Sequence, residues 1–591
     1  MKKSINRNIL AAECFITILS NFGIRDICIS PGSRNTPLTI AVSQNSGIQP
    51  HIIVDERAAC FFALGLAKHT GNPVAVVTTS GTAAAELTPG IVEAFFSRIP
   101  LIICTADRPA YLAGRGANQA INQRNMFSNH VREYYDIGLP GISRRWFNRL
   151  SKNVAGKLIS QANNPGPVHF NFPFEKPFEP GSPTDEIEAE SLSAIENDIN
   201  TVKPVQRKST PDRQLSKKTT EKILESKKIL LTAGPLNKAA DIAESLSDLA
   251  QKLNYLIAPD GLARIYFQNK SNVIDNFSTI AFSSEFKNKY DPDLIVHFGN
   301  APTSNSFLEF FKESKAYKIV VNEYGDKIDP TRTADEFIKI HPVDLCKEIL
   351  ESDNTQINSG KIPWSEEILK MDAEIDRIKT DLIFKKRFPY ESRIINEVYS
   401  FMPEGSNLFL SNSLPVRDFE YFISERKKIN LYYNRGASGI DGIIATACGV
   451  GKNSEFPTTL ILGDLAFYHD LNSLYLCNQL SKPVIIVVIN NGGGGIFEML
   501  PVADEKIDFE KYFKTPVNFN CEKAVKAFGL NYCRVNNWAE LKSQYNKSIK
   551  LKTSAVIEIK SNSKQSLALR RKFWSESKAK VNKMINENKA G

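Results

Sequence analysis

Asp464 and Asn491 are the residues whose types and setting point most directly to chemistry. An apolar run ending at Ile461 and Leu462 breaks at Gly463 and Asp464, and a second, Val484 to Ile489, breaks at Asn490 and Asn491. Both runs read as buried parallel strands. Between them Leu471, Leu474 and Tyr475 stand at helical spacing, so a helix is expected there. A βαβ crossover of this kind brings Asp464 and Asn491 together beyond the carboxyl ends of neighbouring strands, where α/β sheets bind ligands. One carboxylate, one amide oxygen and a backbone carbonyl from the glycine-rich run after Asn491 form a hard, half-open, all-oxygen shell. Such a shell suits Mg²⁺ completed by water and phosphate oxygens. Gly492 to Gly495 let backbone approach a diphosphate closely.

The elements that must position these residues follow from the same patterning. A chain of 591 residues is too long for one core and should hold about three domains. Residues 1–180 alternate strand and helix signals, as a parallel sheet requires. Strands at Asp26 to Ile29, His51 to Val54, Val74 to Thr78 and Leu101 to Thr105 run into Ser30 to Arg34, Asp55 to Arg57, Thr79 to Thr82 and Asp107 to Pro109. Polar groups thus gather on one rim. Residues 181–225, with an acidic block (Asp185 to Asp198) before a basic one (Lys203 to Lys218), read as a linker. A smaller α/β domain spans 226–352, a helical connection 353–392, and a third α/β domain 393–591. The fold class is therefore α/β with three doubly wound parallel-sheet domains. Gly234 and Gly299 follow strands but no GxGxxG does, so packing turns are preferred over an NAD or FAD site.

Composition excludes several classes. The net charge of +9 is mild, and its basic tail, Arg570 to Lys589, is interleaved with Glu576 and Glu587, so a solvated terminal helix is expected and no nucleic-acid partner. The nine cysteines form no CxxC pair and read as reduced core residues of a cytoplasmic protein. Seven histidines without HExxH spacing suggest no zinc site. Ile9 to Leu19 is interrupted by Glu13 and reads as an amphipathic first helix, not a signal peptide. No apolar run reaches the ~18 residues of a membrane span.

Seven stretches taken in order carry a resemblance: SPGSR at Ser30 to Arg34, DER at Asp55 to Arg57, TSGTA at Thr79 to Ala83, ADRP at Ala106 to Pro109, GANQAI at Gly116 to Ile121, NRGASGIDG at Asn434 to Gly442, and GDL with NN at Gly463 and Asn491. Together they resemble the MenD family, the thiamine-diphosphate-dependent 2-succinyl-5-enolpyruvyl-6-hydroxy-3-cyclohexene-1-carboxylate synthases of menaquinone biosynthesis. The resemblance implies pyrimidine-binding, central and diphosphate-binding domains, and a cofactor set of thiamine diphosphate with Mg²⁺ (or Mn²⁺). It implies decarboxylation of 2-oxoglutarate and addition of the resulting carbanion to isochorismate. It also implies a homodimer or homotetramer with active sites at the subunit interface.

By the same resemblance Glu56 is the acid beside the aminopyrimidine ring, and packing against Ala58, Ala59 and Phe61 would raise its pKa. Ile440 matches the residue that bends the cofactor, and Asp464, Asn491 and the Gly493 carbonyl match the metal ligands. Gly436, Ala437, Gly463, Leu465, Ile496 and Phe497 complete the cofactor side. Ser413 and Arg417 match residues holding the 2-oxoglutarate chain, Ser33, Arg34, Arg108 and Gln119 the isochorismate side, and Arg435 a further active-site arginine. Arg34, Arg435 and Glu56 are the catalytic candidates. The chain departs from the family at Asn305 and Ser306, where a Lys-Arg pair usually stands, so isochorismate binding should rely more on Arg34 and Arg108, or on a nearby lysine such as Lys312 or Lys315. Two alternatives stay open: an acetohydroxyacid synthase-like 2-oxoacid ligase, against which the arginines speak, and a non-catalytic cofactor-binding paralogue, against which Glu56 speaks.

Overall fold

The computed structural model describes residues 1–204, 217–236, 240–263, 265, 267, 271–351, 363–423 and 426–590. The first unit contributes β1 (Lys2–Ile5), β2 (Asp26–Ile29), β3 (Gln49–Ile52), β4 (Val74–Thr78), β5 (Leu101–Asp107), β6 (Glu133–Asp136), β7 (Val168–Pro173) and β8 (Asp185–Glu188). All but the outer two form one parallel sheet in the order β3-β2-β4-β5-β7-β6. Every residue of β4 and β5 is buried, as central strands covered on both faces must be. The first helix, Arg7–Asn21, starts where the Asn6 side chain accepts the N–H groups of Asn8 and Ile9, and it packs Phe15 edge-on against Phe170 and Phe172.

The central unit holds β9 (Ile229–Ala233), β10 (Leu256–Pro259), β11 (Leu294–Phe298), β12 (Tyr317–Val321) and β13 (Glu336–Ile338), all parallel, in the order β10-β9-β11-β12-β13. The third holds β14 (Asn407–Leu410), β15 (Asn430–Tyr433), β16 (Thr458–Gly463), β17 (Val484–Asn490), β18 (Asn531–Arg534) and β19 (Ala555–Lys560), again parallel, in the order β15-β14-β16-β17-β19-β18. Counted within its own sheet, that order is the one the first unit uses. The order reverses between β2 and β4 and between β14 and β16, which opens one crevice at the carboxyl ends of each sheet. The first and third units meet through the Glu56–Thr70 and Ile443–Lys452 helices. Their backbones come so close that a Cβ on Gly65 would stand 2.0 Å from the Thr446 carbonyl oxygen, and one on Gly449 2.1 Å from that of Phe62.

Three expectations need correction. The segment read as a linker carries β8, which pairs antiparallel with β1, and the Ala189–Asn200 helix, which buries Leu192, Ile195 and Ile199 on the first core. The density of acidic residues there hides a short apolar stripe. Most of the basic block after it, and the join placed at 352, lie outside the described residues. The crossover between β16 and β17 is a short α-helix, Asp464–His469, followed by a 3₁₀ segment, Leu471–Gln479. Asp470 breaks it by turning to accept the N–H groups of Ile444 (2.7 Å) and Ala445 (3.0 Å), capping another helix. Finally, the basic tail forms the Ser563–Ala590 helix, which buries Phe573, Val581 and Ile585 against Trp364, Ile368 and Met371 of the Pro363–Lys379 helix. Most of its charges stay exposed, but Arg570 is buried. Eight of the nine cysteines are buried and all are free thiols, and among the described residues no helix is long and apolar enough to cross a membrane.

Candidate active site

The crevice of the third sheet is a cavity of about 380 Å³. Asn412, Ser413 and Arg417 reach it from beyond β14, Arg435, Ser438 and Ile440 from beyond β15, Gly463, Asp464 and Leu465 from the end of β16, and Asn491, Gly493, Ile496 and Phe497 from beyond β17. Asp464 Oδ2 accepts the Gly493 N–H (2.8 Å) and Oδ1 that of Leu465 (3.0 Å). Burial nevertheless pushes its carboxyl up to about 6, which a bound cation would reverse. Asn491 donates Nδ2 to Glu391 Oε1 at 3.1 Å, while its Oδ1 is buried without a partner. The Gly493 carbonyl accepts one N–H, from Gly495 at 2.9 Å, and keeps a lone pair. Gly493 has φ +123° and its added Cβ would lie 2.2 Å from the Lys514 carbonyl oxygen, so only glycine fits. An orphaned amide oxygen beside a carboxylate and a carbonyl is a donor set that fits Mg²⁺ or Mn²⁺. Among the described residues no cluster of His, Cys, Asp and Glu offers another metal site.

Two guanidinium groups close the other side of this cavity. Arg417 donates to the Ser413 carbonyl (2.6 Å), and Arg435 to Asn412 Oδ1 (3.3 Å). Burial, then the charge of Arg435, lowers the Arg417 pKa. Ser413 itself sits at φ +75°, a strained conformation for a residue with a Cβ, at the start of the Leu414–Phe422 helix. Gly436 and Ala437 do not line the cavity. Their N–H groups go to the buried carboxylate of Glu93 in the first unit, at 2.9 and 2.7 Å.

The first-unit residues gather at the rim of their own sheet. Arg34 follows β2, donates to the Phe174 carbonyl (2.6 Å) and lies over the Phe178 ring, with its Nε buried and unpartnered. Burial and then the nearby charge of Arg108 lower its pKa. Arg108 donates Nη2 to Gln119 Oε1 (3.3 Å) and leaves Nη1 unpartnered, and Gln119 holds φ +53°. Ser33 is exposed on the same rim. Glu56 opens its helix just after Asp55, whose side chain accepts the Ala58 N–H at 2.9 Å. The expected apolar enclosure of Glu56 is incomplete: it is half-buried, and Ile52 and Val54 before it are 51% and 74% exposed. Its neighbour Arg57 donates to the His469 carbonyl at 3.2 Å, at the end of the Asp464–His469 helix. No first-unit residue lines the cavity of the third sheet.

Comparison with known proteins bears on this geometry. Residues 10–126 match the thiamine pyrophosphate enzyme N-terminal TPP binding domain, and residues 420–559 the corresponding C-terminal TPP binding domain. The 2-succinyl-5-enolpyruvyl-6-hydroxy-3-cyclohexene-1-carboxylate synthase of Bacillus cytotoxicus is 34% identical over 579 residues, 97% of each chain. That of Geobacillus kaustophilus is also 34% identical, over 97% of this chain and 98% of its own, and that of Haloarcula marismortui 32%, over 96% and 97%. The chain belongs to this synthase family. It is a transferase that uses thiamine diphosphate with Mg²⁺ or Mn²⁺ for a decarboxylation and condensation.

Around the synthase cavity stand groups that sequence reading missed. Glu391 and Asp418 line it, and Arg570, from the C-terminal helix, bridges them. Their signal in sequence is nil, because lone charged residues far apart look like solvated ones. Asn305 is exposed at the start of the Asn305–Glu313 helix, lines neither arginine cluster's cavity, and has its neighbour Ser306 turned inward onto the Ser278 carbonyl (2.6 Å).

Proposed function

We propose that this synthase decarboxylates 2-oxoglutarate and joins the remaining succinyl unit to isochorismate, releasing CO₂ and forming 2-succinyl-5-enolpyruvyl-6-hydroxy-3-cyclohexene-1-carboxylate for menaquinone synthesis in the cytoplasm. The observation that carries this reading is the presence of two separate arginine pairs, Arg417 with Arg435 and Arg34 with Arg108, the second with unpartnered N–H groups. Two dicarboxylates call for such forks.

The thiamine diphosphate, when bound, supplies the carbanion-stabilising chemistry. Asp464, Asn491 Oδ1 and the Gly493 carbonyl would hold its metal, the backbone from Gly463 to Leu465 would line its cavity, and Gly436 and Ala437 would act from behind that lining, through their tie to Glu93. Ile440 would be the aliphatic residue set against the cofactor, and Ile496 and Phe497 would complete an apolar wall that excludes water. Ser413 and Arg417 hold the distal carboxylate of 2-oxoglutarate. Ser33, Arg34, Arg108 and Gln119 orient isochorismate, and Arg435 stands between the two. Glu56 holds and returns the proton at the aminopyrimidine edge. Residues 1–180, 226–352 and 393–591 act as pyrimidine-binding, central and diphosphate-binding domains. The working unit is a homodimer, or a homotetramer made of two, whose sites pair the first unit of one subunit with the third of its partner; the lining of the third-unit cavity, which includes no first-unit residue, supports this.

The test is to incubate the protein with thiamine diphosphate, Mg²⁺, 2-oxoglutarate and isochorismate, following CO₂ and product mass. The adduct and stoichiometric CO₂ are expected. CO₂ without adduct would sink the acceptor assignment, and absence of both would sink the reading.

A further inference from the structure

Asn491 offers a metal two different ends, and only the oxygen can bind it. An amide is close to symmetric in shape, so something outside the cavity must decide which end turns inward. Glu391 Oε1 lies 3.1 Å from Asn491 Nδ2. A carboxylate can only accept, so it holds the NH₂ end and leaves Oδ1 facing the cavity, where it is buried without a partner. Glu391 is itself held: Ser561 donates to its Oε1 (2.9 Å), and Arg570 Nη2 to its Oε2 (2.9 Å). The Arg570 guanidinium also forks onto Asp418, with Nε to Oδ1 at 2.8 Å and Nη2 to Oδ2 at 2.5 Å. Glu391, Asp418 and Arg570 are 1%, 2% and 2% exposed, so no water competes for these bonds. The Glu391 carboxylate against Asn491 favours an amide over an acid at position 491.

We propose that Glu391 and Arg570 are positioning residues that set the Asn491 amide with its oxygen toward the metal, and that Arg570 ties this setting to the C-terminal helix. The inference rests on Asn491 being a metal ligand. Arg570 comes from the Ser563–Ala590 helix, whose other residues pack on the Pro363–Lys379 helix beside the central sheet. Docking of the chain's last helix therefore reaches the metal through two side chains.

The experiment uses the full-length protein in equilibrium dialysis of thiamine diphosphate across a Mg²⁺ series, with thermal melts of the cofactor-free protein alongside. In Glu391→Gln the new amide can present either end to Asn491, so the Mg²⁺ midpoint should rise about 10-fold or more, the range for lost outer-shell partners. Glu391→Asp keeps the charge that Arg570 needs but withdraws from Asn491, and should shift the midpoint the same way even if the glutamine variant does not fold. A carboxylate has no wrong end. Asn491→Asp should therefore restore Mg²⁺ binding in the Glu391→Gln background and weaken it beside the native Glu391. Arg570→Lys, which cannot fork onto both acids, should raise the midpoint severalfold. An effect confined to the melts, with unchanged midpoints in both Glu391 variants, would overturn the inference, and an unchanged midpoint in Arg570→Lys alone would remove the C-terminal helix from it. Asn491→Ala separates the premise: unaltered Mg²⁺ binding there means Asn491 is not a ligand at all.

Discussion

A carboxyl group can pass a proton to an aminopyrimidine ring, and an amide cannot, so Glu56→Gln isolates the first-unit half of the site. Turnover should fall at least ~100-fold with thiamine diphosphate binding retained. Near-normal turnover would remove Glu56 from the chemistry. Arg417 tests the other half. If it holds the distal carboxylate of 2-oxoglutarate, Arg417→Ala should cost about 1.5–3 kcal/mol in kcat/KM for that substrate and almost nothing for pyruvate, which lacks the group. An equal loss for both would assign Arg417 to the cofactor or the fold. Residues of this kind are legible in sequence because strand ends in a parallel sheet converge, which pairs Asp464 with Asn491 from the apolar runs alone. Glu391 and Arg570 are not, since nothing local to either marks it as buried. The close pairing of Gly436 and Ala437 with Glu93 is equally invisible, being a contact between units.

At the level of elements, the contact between the Glu56–Thr70 and Ile443–Lys452 helices depends on missing side chains. Gly65→Ala places a methyl 2.0 Å from the Thr446 carbonyl oxygen, so the helices must part. Unfolding by denaturant should show a loss of about 1–3 kcal/mol, the usual cost of overpacking. No loss would mean that the pair slides freely. The Pro363–Lys379 helix carries a different liability in Asp372, where burial, then Asp376 and Asp275, raise the carboxyl to about 7. Its unfolded value is about 3.9. Between those values the native group keeps a proton the unfolded one has lost, so stability falls as pH rises from about 4 to about 7 and stays at its lowest above that. Asp372→Asn keeps an acceptor for the Asn276 N–H (2.7 Å) and should flatten this fall, melting higher than the parent at pH 8. A lower melting point at pH 8 would contradict it. The strands were readable as apolar runs because parallel sheets bury both faces. The Ala189–Asn200 helix and the packed face of the expected terminal helix, Ser563–Ala590, are hidden in sequence because charge dominates their composition while a narrow stripe does the packing.

For the whole molecule, the decisive matter is that Glu56 belongs to the first unit and Asp464 to the third, that both units share one strand order, and that no first-unit residue lines the cavity at Asp464. Sequence motifs put both residues in one site, whereas the cavity at Asp464 is lined within this chain only by residues beyond the first unit. If a partner subunit completes it, two inactive variants should repair each other. Asp464→Ala removes the only charged metal ligand and should abolish Mg²⁺-dependent cofactor binding in the homodimer. In a mixed dimer of Glu56→Gln and Asp464→Ala subunits, one of the two sites combines both lesions, while the other pairs a native Glu56 with a native Asp464. Random pairing of equal amounts makes half the dimers mixed, so co-expressed subunits should recover about a quarter of parental activity, since each C₂ dimer carries two equivalent sites. Recovery should be lost on dilution below the dimer's dissociation constant. Coexpressed subunits that form mixed dimers, verified by two affinity tags, and yet show no activity would place the whole site within one chain.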